Sequence, residues 1–263
     1  MGEKKTVWIT GASSGIGEAM ALEFAREKHT LILSARKESS LEGIKNTCEN
    51  LGSKVITTSL DLTLSETIDS SVELVLKQVS TIDVLVNNGG ISQRSWIIDT
   101  PMDIDRKIME VDYFGHVYLT KKLLPFMVNQ KSGHIIVISS LSGLFGFHMR
   151  SAYCAAKHAL HGFFETLILE HFKDNIHVTM VCPGRIFTNI SYHSLKADGT
   201  EHNKLDDAQK NGMPVDVAAR KIMKAYRRKK KEVIVAQKEG ILVFFKKFMP
   251  FVFYKILRNV NPN

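Results

Sequence analysis

Short runs of β-branched and apolar residues alternate along the chain with longer segments whose apolar positions recur at helical spacing. Seven such runs occur: KTVWIT (5–10), TLILSA (30–35), KVITTS (54–59), DVLVNN (83–88), HIIVISS (134–140), HVTMVCPG (177–184) and EVIVA (232–236). Helices are predicted between them at 15–28, 38–51, 64–80, 101–128, 151–173 and 214–230. Strands that alternate with helices predict a mostly parallel sheet covered on both faces. We therefore expect a single-domain α/β fold, a doubly wound Rossmann-type sheet that binds ligands at the carboxyl ends of its strands.

A glycine-rich turn, TGASSGIG (10–17), joins the first strand to the first helix. Glycines at 11, 15 and 17 permit a tight turn, close approach to a pyrophosphate, and close packing of helix on strand. The helix N-terminus adds unpaired N–H groups and a partial positive charge. The spacing G-x3-G-x-G differs from the more familiar G-x-G-x-x-G, so an ordinary tight turn is the alternative interpretation.

The end of the second strand bears on which dinucleotide would bind. An NAD-binding chain places an acidic residue about 20 residues after the glycine turn, to hold the ribose 2′-hydroxyl. Here Ala35 occupies that region, and Arg36 and Lys37 follow it. An arginine at this place can pair with a 2′-phosphate, which favours NADP(H), although a solvated basic pair is the alternative. Asp61 could accept a hydrogen bond from the adenine amino group or cap the following helix.

Tyr153 and Lys157 lie four residues apart, on one face of a predicted helix, with only small residues between them. Ser140 closes a strand at the edge where this fold places its ligands. To exchange protons near neutral pH, a phenol with a pKa near 10 needs a depression of roughly 2–3 units, or about 3–4 kcal/mol. One cation at about 4 Å supplies about 4 kcal/mol at an effective dielectric constant of ~20. The three residues therefore indicate a proton-transfer site, and a chance pairing on an amphipathic helix is the alternative.

Taken together, the motifs resemble those of the short-chain dehydrogenase/reductase family. The resemblance covers about residues 1–236 and rests on TGASSGIG, NNGG (87–90), Ser140, YCAAK (153–157) and PGRIFT (183–188), in this order. IDRKIMEVDYFGHVYLTKKLLP and RSAYCAAKHAL are also similar to the branch called dehydrogenase/reductase member seven. The family implies an NADP(H)-dependent oxidoreductase that interconverts a carbonyl and an alcohol, on a hydrophobic steroid-, retinoid- or acyl-lipid-like substrate. A non-catalytic NADPH-binding sensor or interaction protein is the alternative.

The resemblance also implies roles for individual residues. Tyr153 would be the general acid and base, Lys157 would lower its pKa, and Ser140 would hold the substrate oxygen. Thr188 would bond the nicotinamide amide, and Ile186 would flank the ring. The full set implied for cofactor binding is Gly11, Ser13, Ser14, Gly15, Ile16, Gly17, Arg36, Asp61, Leu62, Asn88, Gly89, Tyr153, Lys157, Pro183, Gly184, Ile186 and Thr188.

Two positions depart from the family pattern. Gly89 replaces an alanine, which should not matter to the chemistry. Asp112 stands where the family usually has an asparagine of the water relay behind the lysine. An ionised aspartate cannot donate a hydrogen bond, and its charge would oppose the effect of Lys157 on Tyr153. We therefore expect a working enzyme with an altered relay.

The last predicted strand is followed by a basic, phenylalanine-rich tail. Residues 221–263 hold 12 of the 35 Lys and Arg residues but only two of the 27 Asp and Glu residues, so the net charge of +8 arises in this region. The sequence GILVFFKKFMPFVFYKIL is too short and too charged to span a bilayer. Its apolar face could pack on the substrate entrance or a second subunit, or lie on an anionic membrane surface. Without a recognition motif, the basic tail does not predict a nucleic-acid partner.

The remaining features define domain boundaries and cellular setting. We predict a catalytic domain over 1–239 and the tail over 240–263, with a polar substrate lid at 187–213 that includes His193. The family implies a homodimer or homotetramer whose contact uses the helices at 101–128 and 151–173. Three cysteines without CxxC spacing, at 48, 154 and 182, favour a reducing compartment and predict neither disulfides nor a metal site. No signal peptide is recognised, so we expect a cytoplasmic location with possible membrane association through the tail.

Overall fold

The computed structural model describes residues 3–260, apart from the side chains of residues 207 and 208. All seven predicted strands form: β1 (Thr6–Thr10), β2 (Thr30–Ala35), β3 (Val55–Ser59), β4 (Val84–Asn87), β5 (Gly133–Ile138), β6 (Ile176–Pro183) and β7 (Glu232–Val235). The helices are α1 (Gly15–Arg26), α2 (Glu42–Asn50), α3 (Ser65–Leu76), α4 (Met102–Met109), α5 (Gly115–Asn129), α6 (Ser151–Glu170), α7 (Asp207–Lys210), α8 (Val215–Arg227), α9 (Ile241–Phe248) and α10 (Pro250–Arg258).

The strands pair in the order β3-β2-β1-β4-β5-β6-β7, and every pairing is parallel. The chain builds outward from β1 to β3, then returns to the other side of β1 and continues from β4 to β7. The order therefore reverses between β1 and β4, and such a reversal opens a crevice at the carboxyl ends of the strands. The predicted doubly wound Rossmann-type fold is confirmed.

Two apolar layers, one on each face of the sheet, hold the helices against it. Val7 and Ile9 face the layer that contains Phe24 of α1, whereas Trp8 between them faces the layer that contains Phe164 of α6. This alternation follows from the two-residue repeat of a strand, and burial on both faces explains why the strands are nearly continuous apolar runs.

The predicted helix at 101–128 is continuous but changes its winding in the middle. A π-helical turn over Glu110–Phe114 separates α4 from α5. Asp112 lies in this turn, fully buried, and its Oδ1 accepts a hydrogen bond from the backbone N–H of Ile91 at 2.8 Å. Turns of this kind occur frequently at functional sites. The wider turn delivers a carboxyl group into the interior beside the carboxyl end of β4.

The tail forms the two short helices α9 and α10, and residues 261–263 lie outside the described part of the chain. Phe253 and Leu257 of α10 are buried in a cluster with Leu141, Phe145 and Cys182, so one face of the tail packs on the protein. Among the described residues, no helix is long and apolar enough to cross a membrane.

Candidate active site

The glycine turn closes against the loop that follows β4. Gly11 and Gly15 have φ values of +61° and +60°, in the left-handed region that disfavours residues with a Cβ. A Cβ on Gly11 would lie 2.8 Å from the Cα of Gly89, and one on Gly17 would overlap the carbonyl of Gly11. The Asn88 side chain locks the contact by donating to the carbonyl of Thr10 at 2.9 Å and to that of Gly11 at 3.1 Å.

A cleft of about 800 Å³ runs from this turn to Tyr153 and Lys157. It is lined by all the residues implied for cofactor binding except Gly17, which lies behind the turn: Gly11, Ser13, Ser14, Gly15, Ile16, Arg36, Asp61, Leu62, Asn88, Gly89, Tyr153, Lys157, Pro183, Gly184, Ile186 and Thr188. The cleft crosses the strand-order reversal, with glycine N–H groups and the N-terminus of α1 at one end. Its length and lining fit a dinucleotide whose pyrophosphate lies on that helix N-terminus.

Arg36 and Asp61 lie at the outer end of the cleft. Arg36 follows β2 directly, is exposed, and lines the cleft. Asp61 follows β3, and its Oδ1 accepts from the backbone N–H of Thr63 at 2.9 Å and from the Thr63 hydroxyl at 2.7 Å. Asp61 therefore stabilises the turn before α3 but does not cap that helix, whose N-cap residue is Leu64, and it also lines the cleft.

Ser140, Tyr153 and Lys157 converge at the inner end of the cleft. Ser140 follows β5, and Tyr153 and Lys157 lie one turn apart in α6, both buried. The Nζ of Lys157 lies 5.6 Å from the centroid of the Tyr153 ring and donates to the carbonyl of Ile138 at 3.2 Å. The three predicted residues are therefore brought together around one point.

Burial dominates the electrostatics of the phenol. It raises the pKa of Tyr153 above its ordinary value, and the charge of Asp112 raises this pKa further. Lys157, a hydrogen bond with Ser140, and the charge of Arg150 each lower the pKa of Tyr153. Lys157 lowers the pKa of Tyr153, as expected from the sequence. The sequence could not reveal that desolvation of the phenol raises the same pKa.

Asp112 lies directly behind Lys157. Its Oδ2 is 3.4 Å from the Nζ of Lys157, and among the described residues it has no partner in hydrogen-bonding geometry. Burial raises the pKa of Asp112, while Lys157 and the Ile91 N–H lower it. The side chain thus occupies the place expected for the family's relay asparagine, and its charge opposes the effect of Lys157 on the phenol.

Two buried histidines, neither of them predicted from the sequence, lie beside the site. The Nε2 of His116 donates to the carbonyl of Gly89 at 2.6 Å, and burial, with the nearby charge of Lys157, lowers the pKa of His116 to about 3. The Nε2 of His161 lies 3.1 Å from the hydroxyl of Ser139, beside β5. His116 is four residues after Asp112, and that spacing is the signal from which it could have been found.

Residues of the predicted lid border the cleft. Thr188 lies next to the glycine turn, where a Cβ on Gly15 would lie 3.3 Å from its methyl group. His193 lines the cleft, but its Nδ1 pairs with Glu201 of the same segment at 3.0 Å. His193 is therefore engaged within the lid segment.

Comparison with known proteins agrees with this geometry. A family model described as short chain dehydrogenase matches residues 5–198. The dehydrogenase/reductase SDR family protein 7-like of Drosophila melanogaster is 40% identical over 245 residues, which are 92% of this chain and 75% of that protein. The human dehydrogenase/reductase SDR family member 7 is 38% identical over 250 residues, covering 93% of this chain and 74% of that protein.

Solved structures show the same architecture. A short-chain dehydrogenase from Streptomyces avermitilis matches with a TM-score of 0.80 and 29% identity, covering 98% of this chain and 100% of that one. A short-chain dehydrogenase/reductase from Burkholderia phymatum, solved in complex with NAD, matches with a TM-score of 0.83 at 20% identity and covers 99% and 97% of the two chains. The sequence matches, the sheet order and the site geometry together show that the chain belongs to the short-chain dehydrogenase/reductase family of oxidoreductases, in its member seven branch.

Proposed function

We propose that this protein is an NADP(H)-dependent oxidoreductase that reduces a ketone or aldehyde to an alcohol and catalyses the reverse oxidation. The observation that carries the proposal is the convergence of Ser140, Tyr153 and Lys157 at the inner end of the cleft. When bound, the nicotinamide supplies the hydride that the carbonyl carbon receives. The phenol of Tyr153 donates the proton that the carbonyl oxygen requires, while the hydroxyl of Ser140 donates a hydrogen bond to that oxygen.

Lys157 and Asp112 have opposite effects on the proton transfer. The ammonium of Lys157 stabilises the phenolate that remains after the proton leaves, because opposite charges in a buried site attract strongly. Asp112 opposes this stabilisation. We propose that the aspartate retunes the pH range of the enzyme and does not abolish its activity.

The preference for NADP(H) rests on Arg36. The guanidinium is exposed at the cleft, and the residues after β2 include no acid before Glu38. The Oε1 of Glu38 accepts a hydrogen bond from Thr57 at 2.6 Å, so this carboxylate is engaged on β3. A 2′-phosphate would gain a charge-assisted hydrogen bond from Arg36.

An apolar wall beside Ser140 supports a hydrophobic substrate. Leu141, Phe145, Phe147, Ile190 and Leu242 line a second cavity that shares Ser140 and Tyr153 with the cofactor cleft. Steroid-, retinoid- and acyl-lipid-like carbonyls are the candidate classes. The residues 187–213 contribute Ile190 to this wall, which supports their proposed role as a lid.

The decisive experiment is NADPH oxidation over a panel of apolar ketones and aldehydes, with the Tyr153→Phe variant beside the parent. Loss of the phenol should lower kcat at least about 100-fold, the scale of general acid catalysis, while NADPH binding measured by fluorescence persists. Turnover that survives in Tyr153→Phe would contradict the mechanism. NADPH binding without turnover of any carbonyl by the parent would favour the alternative, a non-catalytic sensor.

We also propose that the protein forms a homodimer or homotetramer through the helices predicted at 101–128 and 151–173. Phe114, Phe126 and Leu169 are large apolar side chains on these helices that are exposed in the single chain. Light scattering on the parent and on Leu169→Asp measures this directly. A parent that is monomeric at all concentrations would contradict the proposal.

A peripheral membrane contact of the tail is proposed on separate grounds. Phe244, Phe248, Phe251 and Tyr254 of α9 and α10 are exposed, although Phe253 and Leu257 pack inward. Lys246, Lys247, Lys255 and Arg258 belong to the same two helices. Exposed aromatic side chains interleaved with cations are typical of helices that lie on anionic bilayers.

A further inference from the structure

The cavity on the substrate side of Tyr153 carries more charge than an apolar substrate requires. It has a volume of about 150 Å³ and borders Ser140 and Tyr153 on one side and the apolar wall on the other. Its charged lining residues are Arg94, Arg150, Arg185, Asp206 and Glu239. Three cations and two carboxylates leave a surplus of one positive charge in the place where a substrate would bind.

Two of these arginines share a single carboxylate. Arg94 is 4% exposed and forms an ion pair with Asp206 through Nη2. The Nη2 of Arg150 lies 3.4 Å from the same Oδ2 of Asp206. The Nε and Nη1 of Arg94 have no hydrogen-bond partner among the described residues and are sealed from solvent. One carboxylate therefore neutralises only half of the charge of this pair.

Burial of the two guanidinium groups with one carboxylate disfavours their charged forms and so lowers their pKa values. Burial and the charge of Arg150 lower the pKa of Arg94 to about 9, and burial also lowers the pKa of Arg150. A second anion beside the pair would remove part of this cost, because buried charges are stable when they are paired.

Arg150 is the member of the pair that a ligand can reach. Its side chain is 17% exposed, whereas that of Arg94 is only 2% exposed. The guanidinium lies over the ring of Phe147 with 5.2 Å to the centroid, so it is held at the apolar wall. Arg150 is three residues before Tyr153, and its charge acts on the phenol. Arg150 and Tyr153 both line this cavity, so one ligand can meet both side chains.

We propose that the substrate is an oxo acid whose carboxylate binds Arg150, while its carbonyl faces Tyr153 and its chain lies along Phe145 and Phe147. The inference rests on the proposed carbonyl reduction and names its substrate class. A carboxylate carries the single negative charge that the surplus calls for, and it accepts two parallel hydrogen bonds from a guanidinium. The cavity volume of about 150 Å³ lies below the range of about 300–1,000 Å³ that is typical of sites enclosing larger ligands, so only part of a long chain would be enclosed.

The test compares acids with their neutral esters under NADPH. Levulinate (4-oxopentanoate) and 4-oxododecanoate are each measured beside their methyl esters. For each pair, kcat/KM for the acid is divided by kcat/KM for the ester. We expect the parent to prefer the acids and Arg150→Gln to lower this ratio at least tenfold. Asp206→Asn should raise the ratio, because it removes the carboxylate that competes for Arg150. Arg220→Gln is the matched control, since Arg220 is exposed on α8 and pairs only with Asp216 among the described residues.

A binding measurement separates this inference from the proposed function. The Tyr153→Phe protein with NADPH should gain thermal stability from 4-oxododecanoate but not from its ester, and the Arg150→Gln, Tyr153→Phe double variant should lose that gain. Reduction of acids and esters at a ratio that Arg150→Gln leaves unchanged would overturn the inference and leave the carbonyl reductase intact. Stabilisation by the acid without any turnover by the parent would show that Arg150 binds a carboxylate, but it would overturn the proposed function and with it the role of the acid as a substrate.

Discussion

Asp112 is the residue at which this chain departs most clearly from the pattern of its family. The carboxyl is fully buried 3.4 Å from the Nζ of Lys157, and its charge raises the pKa of Tyr153. Asp112→Asn removes that charge and should lower the pKa of Tyr153. Alcohol oxidation requires the phenolate, so the rise of kcat/KM with pH should move to lower pH. Carbonyl reduction requires the phenol, so its decline at high pH should also begin at lower pH.

The pH profiles of both directions check this prediction, with the exposed Asp103→Asn in α4 as the control. We expect kcat at the optimum to stay within about tenfold of the parent, a barrier change of about 1.4 kcal/mol. A profile that does not move, or an inactive variant that still binds NADPH, would contradict the proposed retuning.

Arg36 is the residue that we expect to contact the 2′-phosphate of NADP(H). Arg36→Ala removes the only guanidinium that lines the cofactor cleft within the described residues. A hydrogen bond to a charged group contributes about 1.5–3 kcal/mol, so kcat/KM for NADPH should fall roughly 10- to 150-fold. The value for NADH should change little, because NADH lacks the 2′-phosphate. Arg228→Ala, exposed after α8, is the control, and an unchanged preference for NADPH over NADH would refute the assignment.

Sequence spacing reveals some of these residues and hides others. Tyr153 and Lys157 were predictable because a helix places residues four apart on one face. Arg150 and Asp206 are 56 residues apart and meet only because the segment after β6 folds back over the start of α6. No local pattern encodes that meeting. The burial that raises the pKa of Tyr153 is likewise a property of the packed molecule.

Two helical glycines, Gly17 in α1 and Gly162 in α6, differ in whether the surrounding structure leaves room for a side chain. Gly17 in α1 has no room for a Cβ, because the carbonyl of Gly11 and the side chain of Asn88 occupy that place. Gly17→Ala should therefore destabilise the protein by about 1–3 kcal/mol. Gly162 in α6 has nothing within 4 Å of an added Cβ, so Gly162→Ala should stabilise by about 0.5–1 kcal/mol.

Urea unfolding measures the free energy of unfolding of both variants. The same glycine-to-alanine substitution within a helix should lower this free energy in one variant and raise it in the other. NADPH binding should weaken only in Gly17→Ala, because that glycine supports the turn over which the pyrophosphate would lie. Equal effects of the two substitutions would mean that the close approach of α1 to the β4 loop does not matter to stability.

The helix boundaries show what apolar periodicity can and cannot predict. The segment 101–128 was predicted as one helix because both halves carry the same periodicity, and it is continuous. Apolar periodicity alone does not report the π-helical turn at Glu110–Phe114. Composition identifies the tail, and its division into α9 and α10 follows from Pro250, which cannot continue the preceding helix but is tolerated at the start of the next one.

For the molecule as a whole, the order of the strands in the sheet follows from general rules for chains in which strands and helices alternate. Right-handed crossovers between parallel strands leave few possible orders, which is why the doubly wound sheet was predictable. The position of the tail obeys no such rule. It packs beside the substrate cavity, where Leu242 of α9 and Phe145 both line the wall. The two helices that carry the exposed aromatic side chains therefore pack next to the proposed substrate cavity.

That placement makes membrane binding testable on the full chain. We expect the protein to sediment with vesicles of phosphatidylcholine and phosphatidylserine, but weakly with phosphatidylcholine alone, and less at high salt because the cations are screened. Phe248→Ser with Phe251→Ser should reduce sedimentation at least tenfold, since Phe251 is 82% exposed and Phe248 is exposed beside it. The control is Leu74→Ser, which is exposed on α3, outside the tail and outside the helices proposed for the subunit contact.

The same variants also test the alternative occupant of this face. If the tail instead packs against a second copy of the chain, the double serine variant should lower the molar mass measured by light scattering in the absence of vesicles. A fall in molar mass together with unchanged vesicle sedimentation would show that the aromatic face is an intersubunit contact. Reduced sedimentation at constant molar mass is the result expected if the substrate cavity opens beside a lipid surface, from which an oxo acid with an acyl chain could enter directly.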